Sequence, residues 1–517
     1  MSPDSIPSGD GLNPEITRRV IIFVAVVGVG LYLGLHVASQ PLMSVAAVTG
    51  FCLLFLLFAR PSLFFLLTLF FLFGAFNLVD VDQVARIPGL FRAKDLLLGL
   101  AAGYAIASVC LRNLPPFPLR SSRLFKPMVV FLVFLAFQMW RTKVFLHEAP
   151  ILLFRQGRHY LTYGLPLVLF FLFRTERNWR SLDRFCLFFI FLTTALNAVE
   201  GVVGPLPFYQ NVANAAEFGV FKSYNPAVLL TYWFFFRRFW MYCEKPSGQN
   251  VLWLLAVSLA VVFYFHRGMV AGAMIAMAVT LVLVPPKVRV RAAAMLLVVA
   301  LLLLSLTVIT VAVSQTAPAS DVAATMKNYF VSTVTDLVRV EGTYRSRVLI
   351  DTQRYPLVRQ HPFVGIGFLS VFGEVAYTMW KTGGVLPVGT VDTGWLDLML
   401  RLGGIGTGLL LLLLGQAVRV NSALLPAKGW SNSEHGLILA NICVLVLAVV
   451  SSIAGGALVW EPGITTIALI FAWTMRLEHA ATERVAAPQP GQAAMLPAQR
   501  GGFQPPPGRQ LPLPTPG

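Results

Sequence analysis

Apolar residues recur in long runs, separated by short polar stretches, along almost the whole 517-residue chain. A bilayer core takes roughly 20 apolar residues per helix, fewer where protein flanks the helix. The runs centre near residues 29, 50, 70, 103, 134, 167, 194, 233, 258, 276, 302, 407, 447 and 470. They predict an all-α polytopic membrane protein with about 14 transmembrane helices. One long polar interruption, residues 315–394, predicts a large loop that contains short helices. The expected organisation is a tail over 1–17, helices 1–11 over 18–314, the loop over 315–394, helices 12–14 over 395–480, and a tail over 481–517. That last tail is rich in Pro, Gly and Gln without apolar periodicity, and predicts disorder.

Cations assign the sides. Arg18 and Arg19 precede the first run, which places the N-terminus inside. Alternate loops then collect Arg112, Arg120, Arg123 and Lys126, next Arg174, Arg177, Arg180 and Arg184, and then Arg237, Arg238 and Lys245. Lys287, Arg289, Arg291, Arg419 and Lys428 complete the inner set, while the loops after Ser39 and around Lys222 carry one cation or none. Both termini are therefore expected in the cytoplasm and residues 315–394 on the outer, periplasmic side. The outer loop Arg141–Tyr160 departs from this rule, with Arg141, Lys143, Arg155 and Arg158 around the apolar stretch Ala149–Phe154. It reads either as an interfacial helix or as extra positive charge around an anionic headgroup, with Arg158 as one contact.

Composition narrows the class. Apolar residues make up 57% of the chain and charged ones 12%, with a mean hydropathy of +0.73, which excludes an ordinary soluble domain. The net charge of +17 raises the question of nucleic acid, but most cations flank apolar runs, so no nucleic-acid partner is expected. The five cysteines (Cys52, Cys110, Cys186, Cys243 and Cys443) lie in or beside apolar runs without metal or disulfide spacing. No nucleotide-binding loop, DxD motif or HExxH occurs, so neither a metal nor a cofactor is expected. Val20–Ser39 lacks a small-residue cleavage site after it and reads as a retained anchor.

Candidate chemistry concentrates on the outer side. Arg267, in His266-Arg267-Gly268, stands at the end of an apolar run, where it either snorkels or meets an anion. In the large loop a helix is expected from Thr343 to about Tyr355, stopped by Pro356. Arg347, Asp351 and Arg354 share one face of it, as a salt-bridged surface or as an arginine fork suited to a diphosphate. His361 precedes Pro362 and is read as shaping a turn through Gly365-Ile366-Gly367. Asp392 is either the cap of the next helix or a carboxylate that accepts a proton from a sugar hydroxyl. Asp397 and Arg401, four apart inside an apolar run, predict a structural intramembrane ion pair.

Several of these segments fit one known pattern. Arg347, Pro362 with Phe363-Val364-Gly365-Ile366-Gly367, Asp392-Thr393-Gly394-Trp395-Leu396 and Gly403-Gly404-Ile405-Gly406 follow in order. Together with His266-Arg267-Gly268 and Asp95-Leu96-Leu97-Leu98, they resemble the O-antigen ligase and Wzy-type polysaccharide polymerase superfamily. The resemblance covers the topology and about 150 residues in detail.

It implies a GT-C-like, metal-independent glycosyltransferase of the bacterial inner membrane that moves a glycan from undecaprenyl diphosphate at the outer face. Arg267 and Arg347 would bind and neutralise the diphosphate leaving group, with Arg345 as a helper. Undecaprenyl-diphosphate-linked glycan and membrane lipid are the implied partners, with a chain-length regulator protein often beside Wzy-type enzymes. Asp392 stands where the ligases carry His, Thr393 where they carry Asn, and Arg401 where an acid is usual. These departures favour repeat-unit polymerisation over ligation to lipid A-core. A transporter of lipid-linked glycans is the alternative of another class, against which stand the asymmetric loop and the lack of an internal repeat.

Overall fold

A computed structural model describes residues 41–78, 93–111, 119–203, 227–263, 267–297, 352, 354–369, 394–426, 429–453 and 455–486. Most of these residues are helical, and no strand is found among them. In chain order the helices are α1 (Pro41–Ala59), α2 (Pro61–Leu72), α3 (Ala93–Cys110), α4 (Phe125–Leu146), α5 (Pro150–Leu161) and α6 (Leu165–Leu172). There follow α7 (Glu176–Val203), α8 (Val228–Glu244), α9 (Gly248–Phe263), α10 (Arg267–Leu281), α11 (Gly394–Leu424), α12 (Asn432–Ser451) and α13 (Glu461–Ala486). The runs expected near residues 29 and 302, most of the large loop and most of both tails lie outside the described residues.

The expected count of about 14 spans is not supported. Among the described residues three helices are long and apolar enough to cross a membrane: α4, α11 and α12. Helix continuity accounts for part of the difference, since an apolar run in sequence is not always one rod. The run near residue 167 is set off from α5 by the 3-10 turn Thr162–Gly164, and α6, with Pro166 in its first turn, has 8 residues. Helix α2, with Pro61 at its start, has only 12. At the C-terminus α13 runs on to Ala486, past the expected tail boundary at 481.

Helix α8 packs against α9 and α12, and α12 also against α10. Small residues permit these close approaches. A side chain at Gly272 would strike Leu447, and one at Gly436 would strike Met241. Buried amides knit the same core: Trp233 Nε1 donates to Asn441 Oδ1 at 2.8 Å, and Asn441 Nδ2 to Asn421 Oδ1 at 3.2 Å. Asn421 Nδ2 in turn reaches Thr474 at 2.8 Å on α13.

Charged residues separate to the two ends of the bundle. At one end Ser431 and Glu434 form a capping box that starts α12, and Arg484 reaches Glu434. Arg237 meets Asp183 at 2.8 Å there, and Ser122 donates to Glu478. The opposite end gathers Lys94, Asp95, Arg158, Asp397, Arg401, Glu461 and residues 361–369.

Candidate functional site

Helix α11 is broken near its start. Gly403 adopts φ 64° and ψ −173°, outside helical space, so the carbonyls before it lose their partners one turn on. The segment Pro362–Phe368 fills the gap. Ile366 N donates to Leu400 O at 2.7 Å and Gly367 N to Arg401 O at 3.2 Å. In return Gly404 N donates to Pro362 O at 2.7 Å and Ile405 N to Phe363 O at 3.0 Å. Glycine is required on both sides of this joint. Gly365 has φ 64°, and a Cβ there would lie 2.5 Å from Leu400 O, while one at Gly403 would collide with Phe363 and Gly365.

The last turns of α4 hold the joint from outside. Gln138 donates to both Val364 O and Arg401 O. Arg141 spans two carbonyls, Val364 O at 3.0 Å and Gly365 O at 2.9 Å. Thr142 Oγ1 accepts from Phe368 N at 3.2 Å. With Gly365 N bonded to His361 O, every amide from Gly365 to Phe368 is engaged. The Gly-Ile-Gly turn is therefore a structural joint with no amides left to cradle an anion. His361 contributes its carbonyl to that turn.

Beside the joint lies a buried polar cluster. Arg401 Nε pairs with Asp397 at 2.8 Å, and its Nη1 reaches Gln156 at 3.3 Å. Tyr160 OH donates to Asp397 Oδ2 at 3.1 Å. Two further ion pairs close the cluster: Arg158 with Asp95, joining α5 to α3, and Lys94 with Glu461, joining α3 to α13. The three cations and three carboxylates balance in charge, which is how buried ions are normally tolerated.

Helix α5, at 12 residues, lies outside the three candidate spans. Burial, then the cations Arg401, Arg158 and Lys94, hold its His159 well below the usual imidazole range, so the ring is neutral at pH 7. Burial and then Asp397 push the Tyr160 phenol well above its ordinary value, so Tyr160 acts here as a proton-bearing donor.

The expected site residues fall into three groups. Arg158 is buried and already neutralised by Asp95, and the expected Asp397–Arg401 pair is present. Arg267 is the first residue of α10. Arg354 is buried and engaged, in a helical stretch over 354–360 that continues through Pro356 instead of stopping there. A proline removes one backbone donor but keeps a helical φ, so it does not by itself end a helix. Arg345, Arg347 and Asp392 lie outside the described residues.

Reading the sequence missed Lys94, Glu461, Gln138, Gln156 and Tyr160. The available signal was weak: Lys94-Asp95 and Glu461 are ionisable residues standing at the mouths of apolar runs, and nothing in their spacing names a partner. No protein-family model matches this chain, and no curated protein matches it.

Proposed function

We propose that the chain is a membrane glycosyltransferase that polymerises glycan repeat units between undecaprenyl-diphosphate carriers, in exopolysaccharide or O-antigen synthesis. It would work without a metal, in a bacterial inner membrane, with its site facing the periplasm. The observation that supports this reading is the joint itself. Pro362–Gly367 and Gly403–Gly406, two separated segments of the resemblance, are bonded into one unit beside the Arg401–Asp397 pair. The Lys94–Asp95 segment, a third part of that resemblance, enters the same cluster through Arg158 and Glu461.

In this reading Arg267 and Arg347 neutralise the departing diphosphate, with Arg345 and Arg354 helping to bind it. Arg158 supports the site through Asp95. Asp392 serves as a proton acceptor or as a helix cap.

Polymer made by a deletion strain complemented with wild type, Arg267→Ala, Arg347→Ala or Asp392→Asn tests the proposal, with membrane levels checked by immunoblot. The arginine variants are expected to accumulate normally and leave single lipid-linked repeat units. Polymer of normal length that stays unattached to its acceptor would point to ligation instead. Full activity in both arginine variants would remove the diphosphate clamp and favour transport of the lipid-linked glycan.

A further inference from the structure

Arg238, on α8, has no counter-charge of its own. Among the described residues it makes no ion pair and no hydrogen bond, and its Nε is buried without an acceptor. Asp183, the carboxylate that acts on it from α7, is already bound by Arg237 at 2.8 Å. Two arginines thus face one carboxylate. What Arg238 does touch is an aromatic shelf. Its guanidinium carbon lies 4.8 Å from the centroid of the Trp253 ring on α9, and that ring meets Phe191 of α7, 6.0 Å between centroids. An indole face moderates the cost of a half-buried guanidinium without neutralising it. A buried donor without an acceptor, inside a network otherwise matched, marks a place where a ligand's acceptor fits.

Contacts across to α12 set the depth of this group. Arg237 Nη2 donates to Ser433 Oγ at 3.0 Å, and Asn432 Nδ2 to Met241 O at 3.2 Å. Arg238 is therefore level with the first turn of α12, one of the three helices apolar enough to cross a membrane. In a bilayer that level is the boundary of hydrocarbon and headgroups, where lipid phosphates lie. The flanks of the shelf are apolar and open: Leu252, beside Trp253, is 68% exposed, and Phe188, on the Phe191 face of α7, is 61% exposed. Such side chains suit the acyl chains beneath a headgroup. Arg184 is exposed on that same face of α7, Lys245 is exposed at the turn into α9, and α9 carries no acidic residue.

We propose that Arg238 holds the phosphate of an anionic phospholipid headgroup at this end of the bundle, opposite the ion-pair cluster. The planar guanidinium offers paired donors to two phosphate oxygens, the acceptors it otherwise lacks. Arg237 stays with Asp183 and fixes α8 against α7 and α12. The cations at Arg184, Arg237 and Lys245 repel the ammonium of a zwitterionic headgroup and favour a headgroup that adds no positive charge. This inference does not depend on the glycosyl-transfer reading.

The test uses the purified full-length chain in mild detergent, titrated with phosphatidylglycerol, phosphatidylcholine or inorganic phosphate. Native mass spectrometry counts bound lipid and copies of the chain, and the thermal unfolding midpoint reads stabilisation. Wild type should retain phosphatidylglycerol at roughly 10-fold lower concentration than phosphatidylcholine. Arg238→Gln should remove most of that preference, and Arg238→Lys should keep only part, since an ammonium lacks the fork. Arg180→Ala, a surface charge away from the shelf, should leave the preference intact. Inorganic phosphate alone should leave the midpoint unchanged, because it brings no acyl chains to the apolar flanks.

A wild-type chain without preference for phosphatidylglycerol would overturn the assignment, whether or not the variants fold. So would a preference that survives Arg238→Gln, or one lost equally in Arg180→Ala, which would mark diffuse surface charge. Equal stabilisation by inorganic phosphate would make this a free-anion site. A dimer that Arg238→Gln disperses would give the face to a second copy of the chain, and either result would replace the lipid.

Discussion

Two regions of the bundle solve the same problem, how to keep polar groups inside an apolar protein, in opposite ways. The α8–α12 core uses neutral groups: Trp233, Asn441, Asn421 and Thr474 hand hydrogen bonds from one to the next. The α3–α5–α11 end uses full charges, three ion pairs gathered beside a broken helix. Neutral amides are sufficient to fix helix register at modest desolvation cost. Buried ion pairs are a poor way to gain stability, because desolvation consumes most of the attraction. Their concentration at one end, where the joint also sits, sets that end apart from the neutral core.

The contrast can be broken from either side. The largest effect is expected at the joint. Gly365→Ala forces a Cβ against Leu400 O at a left-handed φ, and should cost roughly 4–5 kcal/mol or prevent accumulation in the membrane. A thermal unfolding midpoint in nanodiscs reads it, and an unchanged midpoint would mean the joint does not form.

Next comes the charged cluster. Asp397→Leu strands a buried Arg401 and should cost about 3–5 kcal/mol. The double variant Asp397→Leu, Arg401→Met should recover most of that loss, while still failing to make polymer if the pair serves the site. A double variant as unstable as the single one would show that the cost lies in packing and not in charge.

In the neutral core, Asn441→Leu leaves Trp233 Nε1 and Asn421 Oδ1 without their partner and should cost about 1–3 kcal/mol. Its effect on polymer should do no more than follow the membrane level. The smallest effect is expected at the solvated Arg180–Glu176 pair, 3.7 Å apart and exposed on both sides, where Arg180→Ala should cost ~0.5 kcal/mol or less. A larger loss there would mean that Arg180 has a partner beyond Glu176.

Local spacing carried some of this architecture. The i, i+4 placement of Asp397 and Arg401 was sufficient to foresee their pairing, because one turn of helix brings such residues together whatever surrounds them. The glycines at 365, 367 and 403 were visible as a pattern, since only glycine enters left-handed backbone without a steric penalty. The number of spans was not legible in the same way. Hydropathy counts apolar residues, and it cannot see that the 3-10 turn Thr162–Gly164 separates α5 from α6.

By itself, then, the chain's pattern determined an all-helical protein with membrane-crossing segments, a polar segment before Gly394, and an ion pair within one turn of helix. These follow from burial and from contacts between near neighbours in sequence. Only the tertiary structure decided that Lys94 meets Glu461, that Arg158 meets Asp95, and that Pro362–Phe368 fills the break at Gly403. The Lys94–Glu461 contact joins residues 367 positions apart. No local periodicity encodes such pairs, since each partner is chosen by how the helices pack and by the need to neutralise whatever charge that packing buries.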